Sequence, residues 1–232
     1  MTPPAKSDKA ADKITRIVLV DDHPIVRERL SEIINGEPDL SVCAEAEDRT
    51  GALQTIEAAH PQLVIIDLAL KNSNGLELIK DIRARWPKVL MLVVSMHDES
   101  LYAERVIRAG ARGYITKQEA TRRILQAIRR VLSGEIYLNE KTAAHVLGRL
   151  TGSPRTQAGS VSDLLTDREL EVFDLTGSGL NTRDIAERLR IDVKTVETYR
   201  VRIKEKLNLK GASELLQLAI RWKQDPGNSR GL

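Results

Sequence analysis

Between Arg16 and Ser133 the hydrophobic period of the chain switches back and forth, and that alternation limits the fold more than any other feature. Short β-branched runs occur at Ile17–Val20, Leu40–Ala44, Leu63–Ile66, Val89–Val94 and Gly113–Ile115. They alternate with amphipathic stretches at Ile25–Asn35, Thr50–Ala59, Leu76–Arg85, Ser100–Ala109 and Ala120–Ser133. In the last stretch Ile124, Ala127, Ile128 and Val131 recur at helical spacing. Such alternation predicts a doubly wound α/β domain with a five-stranded parallel sheet. Several strand runs are apolar at every position, as expected where helices cover both faces. Folds of this class carry their sites at the carboxyl ends of the strands.

After Ser133 the pattern stops. Lys141–Leu150 has the spacing of a short helix, and Thr151–Ser160 is a Gly, Ser, Thr and Pro-rich tether by composition. Helical segments follow at Asp167–Thr176, Thr182–Leu189, Val193–Leu207 and Ser213–Trp222, with no strand among them. The expected division is a tail over 1–15, an α/β domain over 16–134, a linker over 135–162, a small all-α domain over 163–224 and a tail over 225–232. The single cysteine, Cys43, excludes an intramolecular disulfide and a multi-cysteine zinc site. The longest apolar run, Val89–Val94, is six residues, against the roughly 20 a membrane span needs. The start, MTPPAKSDKAADK, lacks the apolar core of a secretory signal, so a cytoplasmic chain with no membrane partner is expected. A net charge of +3 permits nucleic-acid binding without demanding it; the placement of the charge decides.

The first strand runs into Asp21-Asp22 and the third into Asp67. In a parallel sheet these ends lie side by side, and three converging carboxylates repel one another unless neutralised. A hard divalent cation such as Mg²⁺ is the natural neutraliser. The fourth strand ends at the Ser95 hydroxyl and the fifth runs into the Lys117 ammonium. An aspartate carboxylate can attack a phosphoryl group to form an acyl phosphate, with metal and lysine stabilising the developing charge. One Asp pair after a strand is ordinarily a loop former; polar residues at strand end after strand end are not. His23 suits the rim of such a site better than a Mg²⁺ shell, since that ion prefers oxygen.

The segments VLVDDHP, VIIDLAL…NGLELI, VVSMHDE and GARGYITK resemble the receiver domain of bacterial two-component response regulators, over about residues 16–133. The resemblance implies that Asp67 accepts phosphate from a sensor histidine kinase. It implies Asp22 as a direct Mg²⁺ ligand, Asp21 as one through water, and Asp67 and the Ala69 carbonyl as the remaining protein ligands. Lys117 would then pair with the phosphate, Ser95 would hydrogen-bond it, and the rotamer of Tyr114 would report that contact. Two positions depart from the family pattern. Lys71 stands where receivers often carry proline, implying a less rigid loop. Met96 is larger than the Ala or Gly of many receivers, so Met96 and His97 are expected to slow hydrolysis of the acyl phosphate. A dehalogenase-type phosphohydrolase would need a second Asp two residues past the nucleophile, where this chain has Ala69.

In the helical region Thr166-Asp167-Arg168-Glu169 reads as a capping box. Asn181 or Thr182 caps the next helix, and a tight turn at Ile191-Asp192 leads into the helix beginning at Val193. Short helices joined so briefly suggest a helix-turn-helix. Between Lys194 and Lys210 six cations face two anions, a surplus larger than that of the whole chain. The segment LTDRELEVFDLTGSGLNTRDIAERLRIDVKTVETYRVRIKEKLNL resembles the LuxR-type helix-turn-helix. By that resemblance Ala186 lies in the scaffold helix, Thr195-Val196 open the recognition helix, and Glu197, Thr198 and Val201 can face base edges. Arg200, Arg202 and Lys204 suit phosphates, which fix register without reading sequence, and Lys194 suits either role. Glu197 stands where many relatives have lysine; it either accepts from cytosine or orients a neighbouring arginine.

Together the two matches resemble a response regulator of the NarL/FixJ type, which is not an enzyme. The resemblance implies that phosphorylation of Asp67 draws Ser95 and Tyr114 inward, alters the surface between the fourth helix and the fifth strand, and frees a masked recognition helix. Freed domains would pair as a homodimer on double-stranded promoter DNA, with RNA polymerase a further possible contact. Leu215, Leu216, Leu218, Ala219 and Trp222 on the last helix suit pairing, core packing or both.

Overall fold

The computed structural model describes residues 14–70, 73–96, 99–140, 142–144 and 161–224. In the first part strand and helix alternate: β1 (Thr15–Val20), α1 (Pro24–Asn35), β2 (Leu40–Ala46), α2 (Arg49–Ala59), β3 (Leu63–Ile66), the two-residue strands β4 (Ala69–Leu70) and β5 (Ser73–Asn74), α3 (Gly75–Arg85), β6 (Leu90–Ser95), α4 (Glu99–Ala109), β7 (Gly113–Thr116) and α5 (Lys117–Leu132). A five-stranded sheet has the order β2-β1-β3-β6-β7, and each of its pairings is parallel. Because side chains alternate along a strand, the fully apolar runs supply both layers. Ile17, Leu19, Ile65, Leu92 and Val94 pack with Leu30 and Ile34 of α1 and Ile124 and Ile128 of α5. Val18, Val20, Ile66 and Val93 pack with Ile56 of α2, Ile79 of α3 and Val106 of α4. From β1 the chain steps outward to β2 and then back past β1 to β3, which opens a crevice at the carboxyl ends of β1 and β3.

Two details depart from the sequence expectation. The last helix of this domain was expected from Ala120 but begins at Lys117, because Thr116 caps it and accepts from the Glu119 amide. The β4–β5 hairpin directly after Asp67 was not expected. It returns so tightly that a Cβ on Gly75 would lie 2.1 Å from the Asp67 carbonyl oxygen; only glycine fits there.

The second part is helical: α6 (Val161–Leu164), α7 (Asp167–Gly177), α8 (Thr182–Leu189), α9 (Val193–Lys206) and α10 (Ala212–Gln224). The capping box forms as expected, with the Thr166 amide donating to Glu169 Oε2 at 2.7 Å. Asn181 caps α8 by accepting from the amides of Arg183 and Asp184. Asp192 holds the N-cap position of α9, but its side chain makes no capping bond. Phe173 meets Trp222 edge-on at 5.4 Å in a small core that also takes Leu215, Leu218 and Ala219. Leu216, by contrast, is exposed.

The segment after α5, expected as a linker, is joined to the sheet at its first residues. Tyr137 bridges Gly113, its amide donating to the Arg112 carbonyl while its carbonyl accepts from Tyr114. Asn139 is clamped by Glu99, whose carboxylate accepts from the Asn139 amide at 2.8 Å and from its side chain at 2.7 Å. Residues 140 and 142–144 are helical. The rest of the expected helix over Lys141–Leu150, the tether over Thr151–Ser160, both tails, Lys71 and His97 lie outside the described residues.

Candidate functional site

The β1 and β3 ends do bring the acidic residues together. One ligand atom from each of Asp21, Asp22, His23 and Asp67 can be chosen so that all lie within 4.8 Å of one another. The Lys117 ammonium is 2.6 Å from Asp21 Oδ2 and 2.6 Å from Asp67 Oδ2. Placing Lys117 at the first turn of α5, straight off β7, is what aims it across the sheet edge. Burial pushes the Asp67 carboxyl up to about 6; the nearby Lys117 opposes that shift and the Asp21 charge adds to it. Burial alone would lower the Lys117 ammonium, but the two carboxylates outweigh it and hold the ammonium above its usual range. At neutral pH, therefore, a buried carboxylate and a buried ammonium face each other, and Asp67 stays ionised at a cost.

Around this centre, the Ala69 amide donates to Asp67 Oδ1 at 3.3 Å. Arg27 of α1 donates to the Asp21 carbonyl, which fixes the turn after β1. His23 Nδ1 lies 2.7 Å from Asp22 Oδ1 with the ring half exposed, at the rim as expected. Ser95 is fully buried at the end of β6, paired in register with Thr116. Met96, the next residue, is 60% exposed. The Tyr114 side chain is fully buried.

Sequence reasoning missed the surface that joins the two domains. The side-chain amide of Asn74 donates to Glu171 Oε1 at 3.1 Å while its oxygen caps α3 through the Leu76 amide. Arg168 donates to the Ser73 carbonyl and to Glu171. Asp167 accepts from Arg105 of α4 at 2.5 Å and pairs with Lys80 of α3 at 3.4 Å. The Tyr102 hydroxyl of α4 is raised well above its usual range by burial and by the charges of Glu171 and Asp174 across the interface. Finally, Arg190, between α8 and α9, places Nη1 2.6 Å from Asp22 Oδ2. Partly exposed ion pairs are worth about 0.2–1 kcal/mol each. The polar part of domain closure therefore adds up from several modest contacts, beside an apolar cluster that takes residues from both domains. Asn74 lies in NGLELI, and Asp167, Arg168, Glu171, Asp174 and Arg190 lie in the helix-turn-helix segment, but no local pattern marks any of them for pairing with the other domain.

On α9 the expected outward residues are outward. Lys194, Glu197, Thr198, Val201 and Arg202 are exposed, while Thr195 and Lys204 are half-buried. Val196, Ile203 and Leu207 face the core. Thr198 Oγ1 donates to the Lys194 carbonyl at 2.9 Å. Arg200 is committed inward, donating to the Thr182 hydroxyl at 2.8 Å. The expectation of a masked recognition helix needs correction as well: the receiver grips α7 and the turn before α9, and leaves the outer face of α9 open.

Among the described residues no helix is long and apolar enough to cross a membrane. The response regulator receiver domain family matches residues 17–129, and the luxR family of bacterial regulatory proteins matches residues 163–219. The oxygen regulatory protein NreC of Staphylococcus epidermidis is 35% identical over 213 residues, covering 90% of this chain and 98% of its own. A LuxR-family two-component response regulator from Aurantimonas is 34% identical over 60% of this chain and 99% of its own, with a TM-score of 0.55. RcsB of Salmonella typhimurium shares the fold at 22% identity and a TM-score of 0.62, over 90% of this chain and 98% of its own. RcsB has also been solved bound to the promoter rprA with the phosphomimetic BeF3⁻.

Proposed function

The chain belongs to the response regulators that join a receiver domain to a LuxR-type helix-turn-helix, and from that premise we propose that Asp67 is its phosphoryl acceptor and α9 its promoter-reading element. It is a DNA-binding transcription regulator of the two-component class. The observation that carries the assignment of Asp67 is the Lys117 ammonium held 2.6 Å from two carboxylates at the switch point of the sheet. A carboxylate oxygen of Asp67 attacks the phosphorus of a phosphohistidine on a sensor kinase. The P–N bond breaks, and the kinase imidazole leaves with the bond's electron pair and is protonated. Lys117 then pairs with the incoming phosphoryl oxygens, and the buried Ser95 hydroxyl faces them from the end of β6.

Asp21, Asp22, Asp67 and the Ala69 carbonyl fit Mg²⁺, because within the receiver the three clustered carboxylates meet a single lysine and offer the hard oxygen donors this ion prefers. When bound, the ion supplies neutralisation of the phosphoryl charge. The receiver then extends over 16–134 and the DNA-binding domain over 163–224. Lys194, Thr195, Glu197, Thr198, Val201, Arg202 and Lys204 contact duplex promoter DNA, in the cytoplasm, as a homodimer once phosphorylated. The exposed Leu216 and Ile220, one turn apart on α10, suit the pairing contact.

The test is phosphorylation of the purified chain with acetyl phosphate and Mg²⁺, followed by mass mapping and a promoter-binding assay. A single label at Asp67, tighter DNA binding with it, and loss of both in Asp67→Asn are expected. A label elsewhere, or none, overturns the reading.

A further inference from the structure

The three carboxylates of the acidic cluster are not balanced by residues of the receiver alone. Lys117 serves Asp21 and Asp67. Asp22, whose side chain is 4% exposed, has one oxygen against His23 at 2.7 Å and the other against Arg190 Nη1 at 2.6 Å. Arg190 belongs to the other domain. It ends α8 in the left-handed conformation, φ 52°, immediately before the turn into the recognition helix. A side chain fixed so close to that turn reaches Asp22 only when the two domains are together.

We propose that Arg190 competes with the divalent cation for Asp22, so that metal binding and domain closure oppose each other. The inference rests on reading the cluster as a Mg²⁺ site. Three carboxylates against Lys117 leave two negative charges, which one divalent ion neutralises; Arg190 takes one of the two. Mg²⁺ needs its ligand oxygens at about 2.0–2.1 Å, and the guanidinium on the same carboxylate, though 46% exposed and so partly screened, occupies the oxygen the ion would take and repels it. The competition is reciprocal by linkage: whatever closure costs the metal in affinity, the metal costs closure. Release of the turn before α9 also frees Arg190 at the end of the domain that must approach DNA. A cation spent on Asp22 in the closed state becomes available to a phosphate in the open one.

The experiment titrates Mg²⁺ alone into the full, unphosphorylated chain as wild type, Arg190→Gln and Arg190→Lys. Calorimetry reads affinity and small-angle scattering reads the radius of gyration. Arg190→Gln is expected to bind Mg²⁺ about 5-fold tighter or more, the lower end of ordinary coupling. Arg190→Lys, which keeps the charge, stays near wild type. Saturating Mg²⁺ expands the wild type, while the radius of Arg190→Gln no longer depends on the metal. Removing any nearby positive charge would raise affinity, so tighter binding without a metal-dependent radius in the wild type overturns the competition. Equal, measurable affinities in all three proteins overturn the competition alone; no measurable Mg²⁺ binding in any of them overturns the metal-site reading too.

Discussion

At the carboxyl edge of the sheet, Asp21, Asp22 and Asp67 are buried and each meets a particular cation, while along α9 Lys194, Arg202 and Lys204 make no ion pair among the described residues. The first region concentrates charge where the dielectric is low, so each group sets the state of its neighbours. The second spreads charge in water, where each group acts nearly alone and salt screens it. A switch needs the first kind of surface and a polyanion-binding face needs the second. Substitutions should therefore be strongly coupled at the edge and close to additive on the helix.

The largest effect follows from the strain of that coupling. Burial raises the Asp67 carboxyl from 3.8 to about 6. The folded state thus holds the Asp67 proton more tightly than the unfolded chain does, and the associated stability is present below about pH 4 and lost as the pH rises through 6. At roughly 1.4 kcal/mol per pKa unit, as much as about 3 kcal/mol is involved. In urea melts without divalent cations, Asp67→Asn should lose less stability than wild type between pH 5 and pH 7. Identical pH slopes would mean that Asp67 is not carrying a buried charge.

This strain was only half legible in the sequence. The identity of the cluster was readable, because a parallel sheet forces the ends of β1 and β3 together whatever else the chain does. The same holds for the buried stripe of Val196, Ile203 and Leu207, which is set by local periodicity. The domain interface was not readable. Arg190, Arg105 and Asp167 meet partners 60 or more residues away through side chains that could equally have faced water. Arg200 looked like any other cation of α9 until Thr182 came within reach across the turn.

The next effect lies on the helix. Glu197 is exposed and pairs with no arginine among the described residues, so its two roles, accepting from a base or orienting an arginine, are separated on DNA. Glu197→Lys is expected to change the preferred base at one position of the site, by about 1–3 kcal/mol of discrimination. Selected binding sites compared between the two proteins measure it. Altered affinity with the same preferred sequence would instead assign Glu197 to positioning.

The smallest effect separates two arginines that the sequence cannot tell apart. Arg202 is exposed on α9, whereas Arg200 is half-buried and spends a donor on Thr182. Phosphate contacts release counterions, each adding about 0.9 to the slope of log affinity against log salt. Arg202→Ala should therefore reduce that slope by about 1 and weaken binding alike on every sequence. Its fold stability should stay within about 0.5 kcal/mol of wild type, as for most surface changes. Arg200→Ala should do the converse: a loss of about 1 kcal/mol in fold stability from the broken hydrogen bond, with the salt slope unchanged. Titrating both variants against one duplex at several salt concentrations, alongside thermal melts, distinguishes them. If Arg200→Ala moved the slope as much as Arg202→Ala, the Thr182 bond would have to open on DNA and α9 would present one more cation than its free form shows.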